Sequence, residues 1–145
     1  MTRHTKDDTF MLMAIALARR STCPRRRVGC ILVDKDGHII GSGFNGVAAG
    51  LDHCIDKPCR GAEYSSGEGL DLCEAIHAEA NSLLRCHDVR EIDTCYVTTA
   101  PCIHCAKLLL NTGCKTIVYN EGYVRSDGIE LFEKASRKTR KICLV

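Results

Sequence analysis

The sequence contains no tryptophan, and aromatic residues make up only 5% of it. A platform of rings on which the bases of a single strand could stack is thinly furnished. Neither sign of charge dominates, since 20 Lys and Arg face 18 Asp and Glu for a net charge of +2. That near balance gives no strong electrostatic reason for binding nucleic acid or an anionic membrane. Long apolar runs are missing as well. The stretch "FMLMAIALA" at residues 10–18 is too short to span a bilayer. Asp7 and Asp8 precede it, Arg19 and Arg20 follow it, and it carries no small-residue cleavage pattern, so it does not read as a signal peptide. Phe10, Met13, Ala14 and Leu17 fall at helical spacing, which predicts a buried amphipathic helix. A cytoplasmic protein is expected.

What the sequence has in excess is cysteine, eleven in 145 residues. Without a secretion signal, metal ligation is the better use for the clustered ones than a disulfide framework. Cys30, Cys95, Cys114 and Cys143 stand singly in apolar, strand-like surroundings and read as small buried hydrophobes.

The length fits one domain, residues 1–145, with a real core. "VGCILV" (28–33) is a strand buried on both faces, "DKDG" a turn, and "HIIGSGF" the returning strand of a hairpin. From residue 45 to about residue 72 no apolar period survives, and a loop that long is usually functional or held by something. Beyond it, "TCYVTT", "KTIVY" and "RKICLV" read as strands. "PCIHCAKLLLNTG" and "SDGIELFEKA" read as helices, the second with Ile129, Phe132 and Ala135 inward. Helices alternating with apolar strands predict an α/β fold, a three-layer α/β/α sandwich around a five-stranded mixed sheet.

Within that frame "AIHAEANSLL" sets a puzzle. His77 and Glu79 are two residues apart, which in mid-helix would turn them through roughly 200° to opposite sides. They can share a site only at a helix N-terminus. A partner is supplied by "APCIHC", where Cys102 and Cys105 are spaced to place both thiols on one face at a second helix start. His77, Cys102 and Cys105 make three protein ligands, the number used by a catalytic zinc that keeps a fourth position open. Glu79 then stands beside that position as a proton carrier, a task suited to a carboxyl whose pKa is raised by burial. His104, between the two cysteines, should face away. The combined pattern HxE…PCxxC is that of the zinc nucleobase deaminases.

Six stretches extend the likeness: "RSTCPRRRVG", "GFNG", "AGLDHCIDKPC", "IHAEANSL", "TTAPCIHCAKLL" and "NEGY". With them the chain resembles, from about residue 10 to residue 145, the deoxycytidylate (dCMP) deaminases of the cytidine deaminase superfamily. The likeness extends especially to the short bacterial and phage type that includes the late competence operon deaminases. The resemblance implies hydrolysis of dCMP to dUMP and ammonia, supplying dUMP for thymidylate synthesis. Water activated by zinc attacks C4 of the base, while Glu79 protonates N3 and then the departing amine. It further implies that Asn45 contacts the deoxyribose, that Tyr123 walls the nucleotide pocket and that Ala78 touches substrate. The phosphate needs cations. Arg25 and Arg27, which alternate with Arg26 as the first buried strand begins, are the first choices, with Arg125 after them. Some relatives hold a second, structural zinc through cysteines at the positions of Cys23 and Cys54. Here Cys59 and Cys73 could complete a four-thiolate site, with His53 as a substitute ligand. Many dCMP deaminases are hexamers activated by dCTP and inhibited by dTTP, with Mg accompanying the nucleotide effector. Three other readings stay open: a tRNA adenosine deaminase, a deaminase of 5-substituted dCMP, and a zinc-stabilised binding module without catalysis. The retained Glu79 speaks against the last, since a structural site has no use for a proton carrier.

Overall fold

A computed structural model of the chain describes residues 1–144. The chain forms α1 (Lys6–Ala18), β1 (Gly29–Val33), β2 (Ile39–Phe44) and a two-residue strand β3 (Gly46–Val47). After a long connection come β4 (Ala75–Ile76), α2 (Ala78–Arg85), β5 (Thr94–Thr99), α3 (Ile103–Leu110), β6 (Thr116–Glu121), α4 (Asp127–Lys134) and β7 (Lys138–Lys141). The main sheet runs in the order β2-β1-β5-β6-β7. β1 is antiparallel to both β2 and β5, whereas β5, β6 and β7 are parallel, so the sheet is mixed as expected.

The period of two along each strand divides the core between the two faces of the sheet. Ile31, Val33, Tyr96 and Val118 pack with Met11 and Ala14 of α1 on one side. Cys30, Leu32, Cys95, Val97 and Ile117 pack with Ala78, Leu109 and Phe132 of α2, α3 and α4 on the other. α1 lies against the sheet so tightly that a Cβ on Gly29 would fall 1.9 Å from the Ala14 carbonyl oxygen, and only glycine fits there.

Several expectations change in detail. The buried stripe of α1 is Met11, Ala14 and Ala18, and Met13 is 40% exposed. The apolar residues run nearly all round this helix, so helical spacing alone does not fix its phase. Ala135 is exposed just past the end of α4. The last strand is the basic "KTRK" at the sheet edge, and Cys143, expected in a buried strand, is exposed beyond it. Charged side chains suit an edge that must not pair with another chain. The pairing of β3 with β4 was not foreseen, because each is only two residues long.

Candidate active site

Three short pieces of backbone converge on the site. Pairing of Gly46 with Ile76 and of Val47 with Ala75 sets the chain just after Asn45 against the chain just before His77. The Asn81 side-chain amide, one turn into α2, donates to the Phe44 carbonyl at 2.9 Å and fixes the helix start against the end of β2. β5 then delivers Cys102 through a short turn, in which the Ala100 amide donates to the Glu121 carbonyl at 2.8 Å. His77 stands at the position just before α2 and Cys102 at that just before α3, neither side chain bonding to its helix's amides. The puzzle of the HxE spacing is thereby resolved, because His77 precedes the helix and Glu79 lies in its first turn.

The donor atoms of His77, Cys102 and Cys105 all lie within 4.8 Å of one another. His77 Nδ1 is 3.5 Å from Cys102 Sγ and 3.4 Å from Cys105 Sγ. A tetrahedral zinc with ordinary Zn–S and Zn–N lengths sets such atoms about 3.5 Å apart, so the three residues fit that ion. The thiols and imidazole perturb one another strongly. Hydrogen bonding with Cys105, and then with His77, brings Cys102 down to about 4. The same contact with Cys102, followed by burial, pushes the Cys105 thiol up. Hydrogen bonding to Cys102 raises His77. Two helix N-termini aimed at the cluster favour thiolate, the form a metal binds. Glu79 is outside this donor set and only 4% exposed, and burial raises its carboxyl pKa. His104 is exposed.

His77 and Cys102 of the cluster, together with Glu79, line a cavity of about 540 Å³, counted out to its open mouth. Of the residues singled out for substrate, Asn45, Ala78, Tyr123 and Arg25 line it, and Arg27 does not. Arg27 is exposed and borders a separate hollow beside Arg19 and Leu144. Its neighbour Arg26 lines the active cavity instead, with a buried Nη1 that has no hydrogen-bond partner. Residues 26–28 are not yet strand, so the alternation assumed for the three arginines does not apply to them. Asn45 accepts from the Val28 amide and donates to the Arg26 carbonyl, each at 2.8 Å, which holds the arginine segment against the cavity. Burial raises the Tyr123 hydroxyl. Arg125 is paired with Asp127 at 2.9 Å and does not line the cavity.

Sequence reasoning missed the wall made by Ser66, Gly67 and Leu70. The "SSGEG" composition marks a turn but gives no hint of what it covers. The four cysteines of the long connection and its anchor are brought near one another only in pairs. Ile55 donates to the Thr22 carbonyl at 3.1 Å, which brings Cys54 beside Cys23, and the Cys59 amide donates to Cys54 Sγ at 3.1 Å. Cys73 interacts with Cys59 through its side chain. Among the described residues, however, no three of these sulfurs lie within 4.8 Å of one another. His53 is exposed.

Comparison with known proteins bears on the same residues. The family described as "Cytidine and deoxycytidylate deaminase zinc-binding region" matches residues 4–121. The chain belongs to this family. It is 40% identical to ComE operon protein 2 of Bacillus subtilis over 143 residues, covering 93% of this chain and 70% of that protein. It is 42% identical to the deoxycytidylate deaminase of Mycobacterium phage D29 over 127 residues, covering 82% and 97% respectively. A crystal structure of the cyanophage S-TIM5 dCMP deaminase in complex with dCMP and dUMP superposes with a TM-score of 0.75 at 25% identity. That match covers 98% of this chain and all of the phage chain. The chain spans only 38–39% of the length of the yeast deoxycytidylate deaminases it also matches. Both the family and the His-Cys-Cys cluster are those of a zinc-binding deaminase.

Proposed function

We propose that the chain is a zinc-dependent dCMP deaminase, acting as one domain over residues 1–145 and converting dCMP and water to dUMP and ammonia. The observation that carries this reading is the buried Glu79 beside, but outside, a His77–Cys102–Cys105 donor set, with His77, Glu79 and Cys102 lining a cavity that is also bordered by Arg26, whose buried Nη1 has no hydrogen-bond partner. His77, Cys102 and Cys105 would hold a zinc ion, which would supply the Lewis acidity that makes water nucleophilic near neutral pH. Glu79 takes one proton of the attacking water and gives it to N3 of cytosine, then takes the proton of the new C4 hydroxyl and passes it to the amine, which leaves as ammonia as the C4 carbonyl forms. A carboxyl raised by burial is matched to both directions of transfer. Asn45, Ala78 and Tyr123 bound the sugar and base, and Arg26 receives the phosphate. A cation whose buried nitrogen lacks a partner is costly unless an anion completes it.

Binding energy from the remote phosphate can raise the rate at the reacting carbon. The specificity constant for dCMP should therefore exceed that for deoxycytidine by at least about 100-fold, two tenfold steps of about 1.4 kcal/mol each. Arg26→Ala should remove most of that margin. Equal constants for the two substrates in the wild type would rule out the monophosphate. The same assay with 5-methyl-dCMP, and with a tRNA anticodon stem-loop, separates the remaining deaminase readings. The small net charge speaks against the stem-loop.

The proposal extends to a structural zinc held by Cys23, Cys54, Cys59 and Cys73. It is supported by the pairwise proximity of these cysteines and by the need of a long aperiodic connection for something to offset the entropy of ordering it. Elemental analysis should give about two zinc ions per chain, and Cys73→Ser should lose one, lower the melting temperature and retain the catalytic metal. One zinc in fully active enzyme, unchanged by Cys73→Ser, would exclude the second site. Hexameric assembly, control by dCTP and dTTP with Mg, and a cytoplasmic location follow from the resemblance as part of the same reading. Among the described residues no helix is long and apolar enough to cross a membrane.

A further inference from the structure

Arg25 lines the cavity, but its guanidinium is already engaged. Nη1 donates to the carbonyls of Ser65 at 2.8 Å and Glu68 at 2.6 Å, with the Tyr64 carbonyl at 3.4 Å sharing the donor. The segment it grips has little else to hold it. Its other bonds are local, with the Glu68 amide donating to the Ser65 carbonyl, the Tyr64 amide to the Gly61 carbonyl and Gly69 packed on the Tyr64 ring, and Tyr64, Ser65 and Glu68 are exposed. On its inner side the segment rests on the far wall of the cavity. Gly67 has φ +85°, and a Cβ there would fall 2.5 Å from Val124 Cγ2 and 3.1 Å from the Tyr123 hydroxyl. Between the two anchors, Ser66 and Gly67 form part of the cavity lining.

We propose that Arg25 is a positioning residue: its guanidinium holds residues 64–70 in place, so that Ser66 and Gly67 complete the cavity wall facing Tyr123. The inference rests on the reading of this cavity as the nucleotide site. Two adjacent arginines then have separate tasks, Arg25 shaping the site and Arg26 meeting the anion. A guanidinium fork suits several carbonyls at fixed angles, whereas a lysine ammonium satisfies them poorly. Without Arg25 the segment samples open arrangements, and apparent affinity falls by the fraction of molecules that remain competent. Bound substrate restores the wall, so turnover at saturation changes little.

Two readouts on metal-replete Arg25→Ala and Arg25→Lys test this. In the free protein, amide hydrogen exchange of peptides covering residues 64–70 should accelerate in Arg25→Ala, and less so in Arg25→Lys, while peptides from β5 stay unchanged. In steady state, KM for dCMP should rise about tenfold in Arg25→Ala with kcat altered less than about threefold. The specificity constant for deoxycytidine, which has no phosphate, should fall by the same factor as that for dCMP. Gly67→Ala, which displaces the opposite anchor, should reproduce the KM effect if Arg25→Ala does not fold. A loss confined to dCMP would make Arg25 a phosphate contact and overturn the proposal, as would unchanged exchange in both Arg25 variants. Should the wild type fail to deaminate dCMP, the functional reading falls, and the exchange measurement still decides whether Arg25 holds the segment.

Discussion

Glu79→Gln is expected to reduce dCMP turnover by at least about 10²-fold while leaving the zinc content and the melting temperature close to wild type. Gln keeps the shape of the side chain and removes its ability to accept and return a proton. The site tolerates the exchange structurally, because burial already disfavours the charged carboxylate and Gln brings no charge into it. The carboxyl is also outside the His77–Cys102–Cys105 donor set, so the metal keeps its three protein ligands. Turnover, zinc analysis and thermal denaturation on one preparation check the result. A Gln variant with near wild-type turnover would remove Glu79 from the proton-transfer role.

A second large effect is expected of Cys102→Ala. Cys102 immediately precedes α3, and its sulfur lies 3.5 Å from His77 Nδ1. Removing it leaves an imidazole and one thiol, too few for a tight site that must also keep a position open. Changes in the outer hydrogen-bonding partners of a metal typically cost 10–100-fold, so loss of a ligand should exceed about 100-fold in activity. It should also remove one zinc per chain. The cysteines around the long connection are on separate segments, and their metal should remain. Retention of full zinc and activity by Cys102→Ala would show that the cluster is not the catalytic centre.

The parts of the molecule that were legible in the sequence are those in which local pattern and tertiary role coincide. β1, with all five residues buried, and β5, matching "TCYVTT" residue for residue, are read from β-branched apolar runs. The metal cluster was legible because its spacing makes sense only at two helix starts, and both helices begin there. The phase of α1 was not, since Met11 and Met13 look alike until a sheet selects one of them. Arg26 and Arg27 could not be distinguished either. Which of them faces the cavity depends on an irregular segment held by the Asn45 amide, not on any period. The wall at Ser66 and Gly67 depends on a contact with Arg25 some forty residues away, which no local pattern encodes.

The most direct measurement is product analysis of dCMP incubated with the purified, zinc-replete protein, with ammonia and nucleotide quantified together. Equimolar dUMP and ammonia are expected, formed by the wild type and nearly abolished by Glu79→Gln. Unchanged dCMP, or inosine formed in a tRNA anticodon stem-loop by protein that leaves dCMP intact, would contradict it.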